Sequence, residues 1–300
     1  MMAAEATGAP RGVMRMDEPM ARHTSWRVGG PARRWFEPAD VEDLAGFLAG
    51  LPAGEEILWL GLGSNLLVRD GGWPGTVIAT FGGLGAIEAL GARGIRAEAG
   101  VACAKVAKFA AGCGLVGAEF LAGIPGTLGG ALAMNAGAFG GETWPLVRAV
   151  ETLDREGRLH QRTPDEYRVG YRHVVPPVSD EWFVAAELAL APGDTDAARA
   201  RIRELLNRRN RTQPSGQASC GSVFRNPPGD HAARLIEACG LKGRRVGGAC
   251  VSEKHANFII NTGNATAADI EALILEVQAE VERCQGVRLE PEVRIVGVEA

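Results

Sequence analysis

The chain has 300 residues, enough for about two domains and a sizeable buried core. Glycine supplies 41 of them, about twice the usual ~7%, but there is no Gly-X-Y period, prolines number 16 and 46% of residues are hydrophobic, which excludes collagen and a disordered low-complexity chain. Lys and Arg (32) nearly balance Asp and Glu (36), a net charge of −4 that excludes the basic footprint of a nucleic-acid binder.

The first dozen residues are small and polar, lack the apolar run of a signal peptide, and are expected to fray. Asp40 caps a helix carrying Val41, Leu44, Phe47 and Leu48 at helical spacing, with Asp43 three residues after the cap. Residues 55–60 read as a short buried strand running into Gly61-Leu62-Gly63-Ser64-Asn65, and 76–81 as a second strand after the turn at Asp70-Gly71-Gly72. A helix over 101–113 carries Val106, Phe109 and Ala110 and stops at Gly114.

From Phe120 to Gly141 no charged residue occurs, a length that matches a membrane span. Gly123, Gly126, Gly129, Gly130, Gly137, Gly140 and Gly141, with Pro125 and Asn135 among them, argue against a lipid-facing helix and for a buried glycine-rich loop system. Residues 147–190 read as short strands with turns at Glu156-Gly157 and Pro176-Pro177. Asp194 opens a charged helix ending near Arg211, whose Arg208-Arg209-Asn210-Arg211 run reads either as an anion site or as a solvated helix end. Further on, 230–239 reads as a short helix, 250–261 includes a strand, and Thr266 caps an amphipathic helix with Ile270, Leu273, Ile274, Val277 and Val281 on one face, closed by Gly286. Residues 293–298 alternate as a last strand. The reading is α+β, with a domain boundary near 205–215 and a softer one near 80–95. The six cysteines contain no C-x-x-C pair, so reduced cytosolic thiols and no metal site are expected.

Five stretches could carry chemistry. Gly61 to Leu66 follows a strand, where glycine lets backbone N–H groups approach an anion; a tight structural turn explains it equally well. Gly123-Ile124-Pro125-Gly126-Thr127-Leu128-Gly129-Gly130, with Asn135-Ala136-Gly137 after it, suits a diphosphate held by amides rather than lysines, or close packing of backbone. Only Lys105, Lys108, Lys242 and Lys254 are lysines. Tyr171-Arg172 offers a guanidinium for a carboxylate. Ser222, after Cys220-Gly221, sits outside any G-x-S-x-G elbow; on an extended segment Cys220 and Ser222 would face the same way. Glu292 and Arg294 lie two apart near the last strand, as functional groups or as a surface ion pair.

Together these stretches resemble the UDP-N-acetylenolpyruvoylglucosamine reductase family. Gly61 to Val68, Gly123 to Gly137, Tyr171-Arg172, Gly221-Ser222-Val223-Phe224-Arg225-Asn226-Pro227, Leu241-Lys242-Gly243, Ser252-Glu253-Lys254-His255-Ala256-Asn257-Phe258 and Leu289-Glu290-Pro291-Glu292-Val293-Arg294 occur in the order seen in that family. The match runs from about Thr24 to Gly297.

The resemblance implies a two-domain FAD-binding fold of the vanillyl-alcohol-oxidase type plus a C-terminal α+β substrate-binding domain. Its boundaries would be a disordered 1–14, FAD-binding subdomains over 15–85 and 86–205, and a substrate domain over 206–300. The implied reaction is NADPH-dependent reduction of UDP-N-acetylglucosamine enolpyruvate to UDP-N-acetylmuramate, by hydride from flavin N5. Ser222 would be the proton donor, and Arg172 and Glu292 would hold and polarise the substrate carboxylate. Glu292 helps there only if it carries a proton or acts through a donor. Gly61, Gly63, Ser64, Asn65, Leu66, Gly123, Pro125, Gly126, Thr127, Gly129, Gly130, Asn135 and Gly137 would hold noncovalent FAD. Tyr171, Asn226, Lys254, His255 and Arg294 would contact substrate. A cytoplasmic monomer is expected, with no membrane or nucleic-acid partner.

The chain departs from the family at two points. No tyrosine-bearing substrate loop lies between Arg172 and Ser222, as in the loop-lacking subtype, and Cys220 stands where alanine is common. Two rivals share the glycine segments. A flavin-dependent alcohol oxidase would not need Ser222, Arg172 and Glu292, and a flavin-binding module would need only the glycines.

Overall fold

The computed structural model describes residues 9–300. The fraying expected at the amino terminus falls mainly on residues outside that range. Ahead of residue 14, the backbone N–H groups of Arg11 and Gly12 donate to the Asp43 carboxylate at 2.7 and 2.9 Å, and a strand starts at Val13. The chain forms two compact units. The first holds the described residues up to Arg15, Arg34–Gly61 and Gly75–Leu206; the second holds Met16–Arg33, Leu62–Pro74 and Asn207–Ala300.

In the first unit Asp40 caps helix α1, Val41–Ala49, by accepting the Asp43 N–H at 2.9 Å. Leu44, Phe47 and Leu48 are buried, and Phe47 stacks on Phe36 with ring centroids 3.9 Å apart. Strand Ile57–Leu60 runs parallel to strand Trp73–Ala79, Ile57 opposite Thr76. A five-stranded antiparallel sheet follows, in the order Leu159–Arg162, Val147–Asp154, Glu181–Ala189, Gly94–Glu98, Ile87–Ala89. Helix α2, Cys103–Gly112, buries Val106, Ala107, Ala110 and Ala111, and the chain leaves it through Gly114 at φ +71°.

The charge-free stretch is not loop throughout. Its middle forms a short helix, α3, Leu128–Met134, because Thr127 caps it and Leu128, Ala131 and Leu132 find a core to enter. Asn135 ends it in the left-handed conformation. No described helix is long and apolar enough to cross a membrane. Asp194 accepts the Ala197 N–H at 2.7 Å at the head of helix α4, Thr195–Thr212.

The second unit carries helix α5, Ala232–Ala238, and helix α6, Ala267–Gln285. A capping box of Thr266 and Asp269 starts α6, the Asp70 carboxylate takes the N–H groups of Ala267 and Ala268 at 2.9 Å each, and Gly286 at φ +67° stops it. Ile270, Leu273, Ile274, Val277 and Val281 are each at most 1% exposed, in a core with Leu67, Leu235, Ile236 and Val251. Burying each such side chain contributes roughly 1.5–3 kcal/mol. A four-stranded antiparallel sheet runs Ala218–Ser219, Ile259–Asn261, Ala249–Val251, Arg245–Val246. The last strand, Arg294–Val296, pairs in parallel with Leu66–Val68, a strand the sequence pattern does not reveal.

Candidate active site

In the first unit, strand Ile57–Leu60 delivers Gly61 against Thr127, and a Cβ at position 61 would strike the threonine hydroxyl and methyl. Glycine is therefore required there for the loop to lie on the cap of α3. The cap itself is anchored: Leu128 and Gly129 donate N–H groups to Val101 and Ala99 carbonyls at 2.8 and 2.9 Å, and Gly130 donates to Thr127 Oγ1 at 3.4 Å. Added Cβ atoms at Gly123 and Gly129 would meet the Phe139 ring at 2.5 Å and Ala99 Cβ at 2.8 Å, and one at Gly137 would strike the Gly141 carbonyl. Gly130 differs. It is exposed, and the nearest atom to a Cβ there is Thr127 Oγ1 at 3.7 Å.

Arg172 sits in the turn between strands Arg168–Gly170 and His173–Val175. Its φ is +53°, a conformation rare outside glycine. Its Nη1 and Nη2 donate to the carbonyls of Asn135 and Gly137 at 3.3 and 2.8 Å, and its guanidinium lies 5.0 Å from the centre of the exposed Tyr171 ring. Asn135 is itself buried, with its side chain bonded to Glu142, Gly170 and the Trp144 N–H.

In the second unit, Gly63 at φ +59° accepts the Ser25 N–H on its carbonyl at 3.1 Å, and a Cβ there would hit the His23 carbonyl. The loop His23-Thr24-Ser25 thus backs the Gly63-Ser64-Asn65 segment, a role with no signal in the sequence. Asn65 Nδ2 donates to the Glu292 carbonyl at 3.1 Å, and Arg294 N–H donates to the Asn65 carbonyl at 3.1 Å. Glu292 N–H in turn donates to the Val223 carbonyl at 2.7 Å, and Arg225 N–H to the Glu290 carbonyl at 2.9 Å. Asn65, Ser222, Glu292 and Arg294 are therefore brought onto neighbouring backbone segments. Asn257, buried, grips the same place through hydrogen bonds to both polar groups of the Phe224 main chain.

Residues 32–162 match the family model described as an FAD binding domain, and residues 213–296 match that of the UDP-N-acetylenolpyruvoylglucosamine reductase C-terminal domain. The chain is 65% identical over 297 residues to the UDP-N-acetylenolpyruvoylglucosamine reductase of Alkalilimnicola ehrlichii, covering 99% of each. The chain belongs to the UDP-N-acetylenolpyruvoylglucosamine reductase family. The crystal structure of that reductase from Thermus caldophilus is 35% identical and superposes with a TM-score of 0.78 over 95% of this chain and 98% of that one. A 6-hydroxy-D-nicotine oxidase structure from Arthrobacter nicotinovorans, 13% identical with a TM-score of 0.58 over 96% and 90% of the two chains, shares the fold.

The reductase is thus an FAD-dependent oxidoreductase of α+β architecture. The residues present fit a flavin nucleotide. The first turn of α3 leaves Gly130 as exposed backbone without a side chain, room for a flavin nucleotide to lie close, while the N–H groups of Leu128, Gly129 and Gly130 already donate to protein acceptors. Several other glycines of the two segments have their missing Cβ against protein atoms, so close packing accounts for them.

The remaining expected residues have defined surroundings. Asn226 Oδ1 accepts the Ala232 N–H at 3.1 Å, at the start of α5. Lys254, exposed, donates its Nζ to the Asn210 carbonyl at 2.5 Å. His255 packs edge-on to Phe258 with centroids 4.8 Å apart, and burial lowers its pKa, which favours the neutral ring. Arg294 is exposed. In the arginine run at the end of α4, Arg208 and Arg211 are exposed, and half-buried Arg209 donates to Gln213 Oε1 at 3.2 Å. The expected same-side placement of Cys220 and Ser222 does not occur. Gly221 at φ +49° breaks the alternation, leaving Cys220 fully buried and Ser222 half-exposed. Burial pushes the Cys220 thiol far above the usual thiol range, which disfavours the thiolate at neutral pH. Among the described residues no cluster could hold a metal ion.

Proposed function

We propose that this reductase uses NADPH to reduce UDP-N-acetylglucosamine enolpyruvate to UDP-N-acetylmuramate, as a cytoplasmic step in peptidoglycan precursor synthesis. Bound FAD supplies the hydride, delivered from N5 to the β-carbon of the enolpyruvyl group.

Ser222 gives a proton to the α-carbon. A serine hydroxyl is a weak acid, and it serves here because the enolate-like carbon it meets is strongly basic. Arg172 holds the substrate carboxylate bidentately while negative charge builds on it; a preorganised donor at such a position typically contributes a few kcal/mol. Glu292 holds the same group through a proton or a bridging donor. In the first unit, Gly130 at the first turn of α3 lies against the flavin diphosphate. Ser64 and Asn65 are separate candidates for a flavin contact. Lys254 and His255 contact the UDP portion.

The observation that supports this reading best is the 2.7 Å hydrogen bond from Glu292 N–H to the Val223 carbonyl, which sets the proposed carboxylate-binding residue beside the segment bearing the proposed proton donor. The test is steady-state assay with the enolpyruvyl sugar nucleotide and NADPH. UDP-N-acetylmuramate formation that disappears in Ser222→Ala supports the assignment, and normal turnover of that variant rejects it.

A further inference from the structure

Arg172 is a non-glycine residue at positive φ, a strained state that persists only where surrounding groups fix it. One residue does much of the fixing. Asn135 also lies in the left-handed region, φ +46°, and is 1% exposed. Its Nδ2 donates to the Gly170 carbonyl at 3.1 Å and to Glu142 Oε2 at 3.0 Å, while its Oδ1 accepts the Trp144 N–H at 3.1 Å. The orientation of the carboxamide follows from its partners, since two acceptors require its NH2 group and one donor requires its oxygen. The main-chain carbonyl of the same residue accepts Arg172 Nη1 at 3.3 Å.

We infer that Asn135 is a positioning residue for Arg172: its carboxamide holds the turn that carries the arginine, and its carbonyl receives the guanidinium. One buried residue thereby holds the turn that carries Arg172 and shares its charged end with the Gly137 carbonyl, which accepts Nη2 at 2.8 Å. The arginine then meets a carboxylate already ordered, and less rotamer freedom is lost on binding. The inference rests on the carboxylate-binding role proposed for Arg172. It assigns the Asn135 side chain to protein groups and not to the flavin.

Asn135→Asp is the informative change. It keeps the size, tolerates the left-handed backbone and retains an acceptor for Trp144. It removes both donors and sets a carboxylate against Glu142 and the Gly170 carbonyl. Flavin reduction by NADPH and flavin reoxidation by UDP-N-acetylglucosamine enolpyruvate would be timed separately by rapid mixing. The FAD-loaded proteins compared are wild type, Asn135→Asp, Asn135→Asp with Glu142→Gln, Arg172→Ala, and Asn135→Asp with Arg172→Ala.

Displacing a binding group by a fraction of an ångström to 1 Å can slow a reaction up to about 100-fold, so Asn135→Asp is expected to slow reoxidation by about tenfold or more. That loss should exceed any slowing of flavin reduction by about tenfold. Adding Glu142→Gln should recover part of it, because a donor again faces the new carboxylate; this pair also serves if the single variant folds poorly. In the Arg172→Ala background Asn135→Asp should cost less than about twofold more. Wild-type reoxidation in Asn135→Asp, equal slowing of both half-reactions, or a full further loss in the Arg172→Ala background overturns the positioning role alone. Wild-type reoxidation in Arg172→Ala overturns the role of Arg172 itself.

Discussion

Asn257 spans the peptide of Phe224, its Oδ1 accepting the Phe224 N–H at 3.0 Å and its Nδ2 donating to the Phe224 carbonyl at 2.8 Å. The Asn257 carbonyl also accepts the Val223 N–H at 2.9 Å. The segment bearing Ser222 is thus held as a strand would be held, by a residue outside any strand. Asn257→Ala leaves two buried main-chain groups without their partner, and each costs about 1–3 kcal/mol. Thermal denaturation should show a Tm lower by several degrees, with slower turnover. Asn257→Asp keeps the acceptor and should fall between the variant and wild type.

Ser222→Ala should separate the two half-reactions. A positioned proton donor contributes about 10²–10⁴-fold, so reoxidation of the reduced flavin by the enolpyruvyl substrate should slow by about 100-fold or more. Flavin reduction by NADPH should stay near its wild-type rate. Rapid-mixing absorbance at the flavin band reads both.

The glycines of the first unit divide by what surrounds them. Gly129→Ala would place a Cβ 2.8 Å from Ala99 Cβ, and overpacking of this kind costs about 1–3 kcal/mol. Gly130→Ala meets nothing closer than 3.7 Å and removes a glycine from a helix, which should leave the fold as stable or stabilise it by about 0.5–1 kcal/mol. If Gly130 faces the diphosphate, the same substitution weakens FAD binding. Denaturation of the flavin-free protein and titration with FAD should therefore give opposite signs for Gly130→Ala and the same sign for Gly129→Ala.

Acid stability should depend on Asp154. Burial works to raise its pKa but is outweighed by hydrogen bonds from His160 at 2.8 Å and from the Arg158 N–H and Nε, each at 2.8 Å, which bring it to about 2. The folded pKa lies below the unfolded value near 3.9, so the stabilisation is full above about pH 4 and fades as pH falls toward 2. Its size is on the order of 2 kcal/mol. Asp154→Asn should lower stability at pH 7 and flatten its fall between pH 4 and 2, measured by urea unfolding at each pH.

Local signals made part of this legible. Thr266 and Gly286 bracket α6, and five of its six buried positions, Ile270 to Val281, follow the helical period read from the sequence, so both ends and the buried face could be read directly. Asp40 marked α1 in the same way. The parallel pairing of Leu66–Val68 with Arg294–Val296 could not, because strand partners remote in sequence share no local pattern. The alternation expected from Cys220 to Ser222 failed at Gly221, whose positive φ is a choice of tertiary context. Glycine density at 61 and 123–137 was visible, but not that Thr127, Phe139 and Ala99 occupy the space saved at Gly61, Gly123 and Gly129. The Asn135 and Asn257 clamps were equally hidden, since a buried carboxamide declares its partners only once the backbone is folded.

The most direct measurement is the flavin spectrum of the purified, FAD-loaded protein through one cycle without oxygen. NADPH should bleach the flavin band, and stoichiometric UDP-N-acetylglucosamine enolpyruvate should restore it as UDP-N-acetylmuramate forms. A band that NADPH bleaches but the enolpyruvyl nucleotide leaves bleached, with no product, would contradict the account.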